Sequence, residues 1–316
     1  MGITVVMCTY NGAKYILAQL ESIAAQSCLP DQIIICDDGS TDNTTRMIEN
    51  FIRNTKIPVR FIQNTTRLGV TRNFQQAISL SDNRYTALSD QDDVWLPNKL
   101  ERQLDFLRQN PQYDMVFSDL LLTDEDLEYL GVTLWEKFRF TGHRRKLWRR
   151  GKGFQLQMKN GNVVAGSTLL FRTACREKFQ HLLSKPYHIW FHDGIIANVA
   201  ALENKIGLIE QPLVKYRQHK EQFTEPYRKR TYPNLRLQYQ ELFDDFTQMG
   251  FSKTHLRYLA NMLRHLTFRE TLPPGKLKRI LKVFAEWISL GYFRYSRSIG
   301  RVALEDILNN KTGYHS

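Results

Sequence analysis

The first 122 residues alternate between two hydrophobic rhythms. Residues 3–9 (Ile-Thr-Val-Val-Met-Cys-Thr) form a continuous apolar, β-branched run, the pattern of a strand buried on both faces. Asn11-Gly12 breaks it, and Ile16, Leu17, Leu20, Ile23 and Ala24 then recur at helical spacing. Residues 32–36 (Gln-Ile-Ile-Ile-Cys) read as a second buried strand. Thr41-Asp42-Asn43 reads as a helix start, with Met47, Ile48, Phe51 and Ile52 facing inward. A third strand spans 59–62, and Leu68-Gly69 leads into a helix carrying Phe74, Ala77 and Ile78. A fourth strand spans 85–88. A helix through Leu100, Leu104 and Leu107 follows, opened by Pro97, and a fifth strand lies within 114–122.

Strand and helix alternating at this spacing predicts an α/β fold: a mostly parallel sheet with right-handed crossovers and helices on both faces. In such sheets a ligand lies beyond the carboxyl ends of the strands. Asn11, the pair Asp37-Asp38 and the triplet Asp90-Gln91-Asp92 each fall just after a strand. The pattern therefore gathers three polar clusters on one rim.

After residue 122 the alternation fails. Arg139, Arg144, Arg145, Lys146, Arg149, Arg150 and Lys152 are interleaved with Phe138, Phe140, Trp148 and Phe154. That mixture fits single-stranded nucleic acid by charge and stacking, a lipid-linked diphosphate acceptor, the membrane surface or a solvated loop, and its place between the two halves of the fold favours the acceptor. Residues 162–171 resume as loop and strand, followed by a helix through Leu183 and another from about Asp193 to Leu202. Residues 206–210 and 213–217 read as two short strands. From Glu225 onward the chain reads as helical and basic, with 16 Lys and Arg against 8 Asp and Glu, so this tail carries +8 of the net +12. Leu277, Ile280, Leu281, Phe284, Trp287 and Ile288 form one stripe among Lys276, Lys278, Arg279 and Lys282. This composition suits an interfacial helix on anionic lipid, or one docked on the protein itself or on a second subunit in a homodimer.

Composition narrows the partners. A chain of 316 residues with net charge +12 favours an anionic ligand or surface. Its four cysteines (Cys8, Cys28, Cys36 and Cys175) include no Cys-x-x-Cys pair and no His at zinc-ligand spacing, which points to buried thiols in a reducing compartment. Neither a signal-peptide pattern nor an apolar membrane span is expected, so the protein is expected in the cytoplasm, peripherally on the inner face of the membrane.

The chemistry concentrates at residues 89–95, Ser-Asp-Gln-Asp-Asp-Val-Trp. Three carboxylates within four residues either form a solvated turn capping the next helix or offer hard oxygen ligands to Mg²⁺ or Mn²⁺. In a basic protein the second reading implies a nucleoside diphosphate whose charge the metal neutralises. Asp37 and Asp38 then suit a base N–H or a ribose hydroxyl, with an Asx turn and helix cap as the alternative.

Residues 3–11, Cys-Asp-Asp-Gly-Ser-Thr-Asp at 36–42 and the acidic stretch at 89–95, in this order, resemble family 2 of the inverting, GT-A-fold glycosyltransferases. The Ser-Asp-Gln-Asp-Asp-Val-Trp variant looks like the bacterial branch of surface-polysaccharide assembly, which includes rhamnosyltransferases. The resemblance implies a catalytic domain over 1–224, with a nucleotide-sugar half (1–122) and an acceptor half (123–224), followed by a basic helical region over 225–316. It places Thr9, Tyr10, Asn11, Asp37, Asp38, Arg72, Asn73, Asp90 and Gln91 near the nucleotide-sugar. Asp92 is assigned to a Mn²⁺ or Mg²⁺ ion, and Asp90 to the ribose or the metal. His192-Asp193 at a helix start matches the position of the general base, which makes Asp193 the catalytic residue and His192 its neighbour on the acceptor side. Gly166 and Ser167 match a small-residue turn at the acceptor edge. In the closing motif at 216–219, Arg217 is expected on the phosphates and His219 on the metal or diphosphate. The expected partners are a nucleoside diphosphate sugar and a saccharide acceptor carried on a polyprenyl diphosphate, and no nucleic acid. The Gln-x-x-Arg-Trp motif of many polymerising members is absent from the sequence, which implies one sugar per encounter. Two competing functions were a sugar-nucleotide pyrophosphorylase, whose Gly-rich basic loop after strand one is missing, and a non-catalytic membrane or nucleic-acid binder, which has no use for Asp92 and Asp193.

Overall fold

The computed structural model describes residues 2–185, 190–220, 222, 235–252 and 254–270. In chain order its elements begin β1 (Ile3–Thr9), α1 (Ile16–Ala24), β2 (Gln32–Asp37), α2 (Thr44–Asn54), β3 (Val59–Gln63), α3 (Val70–Ser79), β4 (Tyr85–Ser89), β5 (Val94–Trp95) and α4 (Lys99–Gln109). There follow β6 (Met115–Thr123), β7 (Tyr129–Thr133), α5 (Leu134–Lys137), α6 (Gly142–Leu147), α7 (Gly153–Asn160), β8 (Leu170–Arg172), α8 (Gln180–Leu183), α9 (His192–Leu202), β9 (Ile206–Arg217), α10 (Leu235–Gln248) and α11 (Arg257–Glu270). The chain forms two compact units. All nine described strands, with α1–α6, α8 and α9, belong to the first; α7 from Phe154 onward, α10 and α11 belong to the second. None of the described helices is long and apolar enough to cross a membrane. The stripe from Leu277 to Ile288 lies outside the described residues.

The continuous apolar runs of β1, β2 and β4 make the centre of the sheet. β1 pairs in parallel with β2 on one side and β4 on the other, and β2 pairs in parallel with β3. The side chains of Val5, Ile33, Ile35 and Ala87 are fully buried, and α1 adds Ile16, Leu20 and Ile23. Register sets the rim: Thr9 is level with Asp37, and Met7 with Ser89. Three loops separated by dozens of residues therefore leave the sheet along one rim, the acidic loop two residues lower than the other two.

Beyond β4 the sheet is mixed rather than parallel, in the order β3-β2-β1-β4-β8-β6-β9-β5, with β7 on β6. β8 runs antiparallel to both β4 and β6. It does so because the chain reaches it through a 3-10 turn, Gly166–Thr168, at the rim, where Leu88 donates to the Leu169 carbonyl. A strand entering from the rim has to run down the sheet. The two short strands expected at 206–210 and 213–217 are one, β9. Its pairing with β6 slips from Ser118↔Ile209 to Asp119↔Pro212, a bulge that sets the exposed Glu210 and Gln211 outside the ladder.

Three of the four aromatic residues of the basic segment, Phe140, Trp148 and Phe154, are buried, and Phe138 is half-buried. Phe117, Trp135, Phe140 and Trp148 pack with ring centroids 4.9 to 6.5 Å apart, and the Trp135 and Trp148 indoles donate to the carbonyls of Val163 and Ile206. Arg145 and Arg149 both pair with Glu210, and Arg144 donates to the carbonyls of Phe138 and Arg139. The expected stacking surface is thus corrected: Phe140, Trp148 and Phe154 are buried, Arg139, Lys146, Arg149, Arg150 and Lys152 are exposed, and Arg145 lies 5.7 Å over the Trp135 ring. In the second unit, Phe154 meets Phe246 edge to face at 6.3 Å.

Candidate active site

At the end of β1 the backbone turns through Asn11, which holds a positive φ of 47°, a conformation that Asn tolerates better than most residues. Side chains lock this turn. Ser40 accepts from the Asn11 amide, and the Asn11 side-chain oxygen accepts from the Thr41 amide. The Gln91 carboxamide accepts from the Tyr10 amide at 2.9 Å and donates to the Tyr10 carbonyl at 3.0 Å. Gln91 thereby ties the acidic loop to the first strand as a ladder partner would. Gly12 leaves room for it, since a Cβ there would stand 2.2 Å from Gln91 Oε1.

Asp37 and Asp38 are both buried and satisfied inside the protein. Asp37 accepts from the hydroxyl of Thr9 and from the amide and hydroxyl of Ser40. Asp38 accepts from Asn64 and from the amides of Leu68 and Gly69, fixing the loop before α3. Asn73 is buried as well; it donates to the Cys36 carbonyl and accepts from Asn64. Arg72 is exposed. Sequence reasoning missed Arg67, whose guanidinium lies 3.7 Å above the Tyr10 ring. It directly precedes Leu68-Gly69 as one more charged loop residue, with no pattern of its own to mark it.

The acidic loop concentrates charge. Burial raises the Asp90 carboxyl to about 8, with Asp92 and Asp193 adding repulsion and the Ser167 amide opposing it by donating a hydrogen bond. Asp193 is therefore a near neighbour of the loop, although it begins α9 on the far half of the sheet. One of its oxygens accepts from the Gly194 amide at 2.6 Å. Gly166 sits against this helix start: a Cβ there would fall 2.9 Å from His192 Nε2 and 3.6 Å from Asp193 Cβ. The His192 imidazole stacks on Phe74, with centroids 3.8 Å apart. Burial lowers it to about 3, and neither ring nitrogen has a hydrogen-bond partner.

The end of β9 closes the other side. His219 Nε2 lies 3.0 Å from Asp92 Oδ2, while His219 Nδ1 is buried without a partner. Arg217 is buried and donates to the carbonyls of Asp92 and Glu125. Both side chains rest on Tyr15, at 4.7 Å for Arg217 and 4.5 Å for His219, and the Tyr15 hydroxyl donates to Glu125. Tyr15 and Glu125 are further residues that sequence reasoning missed. Tyr15 immediately precedes α1, and neither residue stands in a motif that would mark it.

Asp92 and His219, 3.0 Å apart, offer a carboxylate and an imidazole to a divalent cation, with Asp90 near enough for its raised carboxyl to feel Asp92. Among the described residues, no three His, Cys, Asp or Glu side chains are grouped as a metal site by themselves. Oxygens from a bound ligand would have to complete the shell.

Known proteins resemble this chain in sequence and in fold. The protein is 32% identical over 123 residues to the putative glycosyltransferase EpsE of Bacillus subtilis, which covers 39% of this chain and 44% of that protein. It is 27% identical over 191 residues to the Escherichia coli UDP-Glc:alpha-D-GlcNAc-diphosphoundecaprenol beta-1,3-glucosyltransferase WfaP, covering 60% of this chain and 69% of that protein. The match to EpsE thus spans less than half of that relative's length. In fold it resembles S. aureus TarS 1–349 in complex with UDP-GlcNAc, with a TM-score of 0.61 at 17% identity over 85% of this chain and 73% of that one. The architecture is accordingly of the GT-A kind, a mixed sheet with helices on both sides. A family model described as "Glycosyl transferase family 2" matches residues 4–179, more than half of the chain. The three ordered motifs and the rim they form thus have one origin: the chain belongs to glycosyl transferase family 2.

Proposed function

We propose that the protein is an inverting glycosyltransferase that moves one sugar per encounter from a nucleoside diphosphate donor to a saccharide acceptor in surface-polysaccharide assembly. The observation that carries this reading is the approach of Asp193 to the acidic loop. A carboxylate on the acceptor half of the sheet is close enough to perturb Asp90 on the nucleotide half. A site that joins a donor to an acceptor needs that juxtaposition, and a nucleotide-binding protein without transfer does not.

In this reading the acceptor hydroxyl attacks the anomeric carbon as its proton passes to the Asp193 carboxylate. The bond from the anomeric carbon to the diphosphate oxygen breaks, and configuration inverts. Asp193 holds one oxygen on its own helix amide, which fixes the carboxylate's direction. Gly166 keeps the approach to Asp193 and His192 free of a side chain. His192, neutral and stacked on Phe74, packs the helix start rather than exchanging protons.

Asp92, Asp90 and His219 would hold Mn²⁺ or Mg²⁺, which when bound supplies charge neutralisation for the departing diphosphate. Tyr10, Asn11, Asp90 and Arg72 are the residues proposed to meet the donor directly. Thr9, Asp37, Asp38, Asn73 and Gln91 act through the backbone they fix, since their polar atoms already have partners inside the protein. Ser167 holds Asp90 through its amide, and Arg217 holds the Asp92 carbonyl.

The acceptor is proposed to be polyprenyl-diphosphate-linked, in keeping with the diphosphoundecaprenol acceptor named for WfaP. Peripheral contact with an anionic membrane is proposed for the tail, supported by its charge of +8. Flotation of the full chain with anionic but not neutral vesicles tests that contact. The transfer reading is tested by incubating the protein with a panel of radiolabelled nucleotide-sugars, Mn²⁺ and undecaprenyl-diphosphate-linked GlcNAc. Label appearing in the lipid fraction with inverted anomeric configuration supports it. Donor consumption that requires added pyrophosphate and yields a sugar-1-phosphate with a nucleoside triphosphate would instead indicate pyrophosphorolysis.

A further inference from the structure

Helix α1 buries a glutamine and leaves a leucine in water: Gln19 is fully buried, whereas Leu17 is 40% exposed. Ile16, Leu20 and Ile23 pack into the core on one side of the helix. A second stripe meets the acidic loop. Tyr15 at the N-cap, Gln19 and Ser22 recur at intervals of four and three residues, so they share one side of the helix. A carboxamide removed from water is costly unless its polar atoms find partners. Gln19 Nε2 donates to the Ser89 hydroxyl at 2.7 Å, and that hydroxyl donates in turn to the Asp90 carbonyl at 3.1 Å. Ser22 Oγ, 3.2 Å from Gln19 Oε1, accepts from the Trp95 amide at 3.0 Å. Both ends of the stretch 89–95 are therefore tied to one helix. Between those ends Asp93 does not cap the following helix, whose N-cap is Asn98; it is fully buried and accepts from the Arg217 amide at 3.3 Å.

We propose that Gln19 is a positioning residue: through Ser89 it sets where Asp90 leaves the sheet, and with Ser22 it holds the acidic loop in register with the arm that carries His219. That arm rests on the same stripe. The Tyr15 ring lies 4.5 Å from the His219 ring and 4.7 Å from the Arg217 guanidinium. A helix is a stiff spacer of about 1.5 Å per residue, so Tyr15 and Gln19 stand about 6 Å apart along its axis. One turn of α1 thus fixes the support of the imidazole against the support of the carboxylates, and His219 meets Asp92 across that interval. Gln19 is fully buried and acts on the loop only through Ser89 and Ser22.

The inference rests on the reading that this loop holds the donor diphosphate, and two measurements on the full chain keep the two apart. Amide hydrogen exchange over residues 89–95 in metal-free protein reports the brace without any ligand. Calorimetric titration with UDP, GDP and dTDP in Mn²⁺ reports its use. Gln19→Leu preserves volume and removes the donor to Ser89. Thr86→Val, near the start of β4 and away from the rim, removes a buried hydroxyl bonded to Ser81 and Thr173 and controls for lost stability alone. In Gln19→Leu, exchange over 89–95 is expected to be about tenfold faster and nucleotide affinity about tenfold weaker, the size of one lost buried hydrogen bond. Thr86→Val is expected to lower the melting temperature while changing both readouts by less than about threefold. Should Gln19→Leu fail to fold, Ser22→Ala frees the other end of the stretch and is expected to move both readouts the same way. The proposal is overturned if Gln19→Leu exchanges or binds as the native protein does, or if Thr86→Val matches it on both. If the native protein binds none of these nucleotides, the donor reading falls, and exchange over 89–95 still decides whether Gln19 holds the loop.

Discussion

His219 Nε2 lies 3.0 Å from Asp92 Oδ2, which joins the end of the last strand to the acidic loop. The contact holds the middle carboxylate of the loop from one side, and Tyr15 backs the histidine ring from the other. His219 thus reaches Asp92 from a fixed platform. The expected consequence is divalent-dependent nucleotide binding that weakens by about tenfold in His219→Ala, a loss of about 1.4 kcal/mol. Asp92→Asn is expected to abolish the metal dependence altogether. Titration of each variant with UDP at several Mn²⁺ concentrations measures both. Equal affinity with and without metal in the native protein would remove the role assigned to this pair.

Asp193 is predicted to matter for turnover rather than for binding. Asp193→Asn keeps the side-chain oxygen that accepts from the Gly194 amide, so the helix start is expected to persist. Removing a general base costs about 10²- to 10⁴-fold in rate. The turnover number should fall within that range, with nucleotide-sugar affinity changed by less than about threefold. A variant that transfers sugar at the native rate would move the base elsewhere.

The half of the fold that carries these groups was legible because strands buried on both faces leave uninterrupted apolar runs. β1, β2 and β4 announce themselves in this way, and the polar residues that follow each run had to emerge on one rim. What stayed hidden depends on partners far along the chain. β8 looks like another strand, and only its entry from the turn at Gly166 makes it antiparallel. β7 is exposed along Tyr129, Leu130 and Gly131 and has no apolar alternation to read. Arg67 and Glu125 carry no local pattern; Tyr10 and Tyr15 give them their places. The sequence also could not distinguish carboxylates that face a ligand from those used internally. Asp37, Asp38 and Asp93 look like Asp90 and Asp92 until their donors are known.

The raised carboxyl of Asp90 gives the site a pH signature. Its folded value of about 8 stands above the ordinary 3.8, so the folded state binds this proton more tightly than the unfolded chain does. The resulting stabilisation is fully present below about pH 4 and is lost as pH rises toward 8. Asp90→Asn is therefore expected to flatten the fall in melting temperature between pH 5 and 8 in metal-free protein. Binding of a nucleoside diphosphate with Mn²⁺ near neutral pH is expected to release a proton. Calorimetry in two buffers of different ionisation enthalpy reads that proton directly, and identical apparent enthalpies would contradict the assignment.

His192 works in the opposite direction. Burial holds it at about 3, against an ordinary 6.5. The unfolded chain therefore takes up the proton first, and stability is lost as pH falls from 6.5 toward 3. At pH 5 this single residue is expected to cost about 2 kcal/mol, at about 1.4 kcal/mol per unit. His192→Phe preserves a ring on Phe74 and removes the titration. Its melting temperature relative to the native protein should rise between pH 7 and 5, and a constant difference across that range would place the acid sensitivity elsewhere.

The last prediction concerns the clamp between Gln91 and Tyr10. A methyl group at residue 12 would meet Gln91 Oε1 at 2.2 Å. The obstructing atom ends a flexible side chain, so Gly12→Ala is expected to displace Gln91 rather than the backbone. Both hydrogen bonds to Tyr10 would go with it, costing about 1–3 kcal/mol. Gln91→Ala removes the same two bonds without adding a methyl group. Once Gln91 is gone, the new Cβ has nothing left to obstruct. The double variant should therefore be no less stable than Gln91→Ala, a departure from additivity that chemical denaturation resolves. Strict additivity would mean that residue 12 acts on the turn independently of Gln91, and the loop would then be held to β1 by something other than this carboxamide.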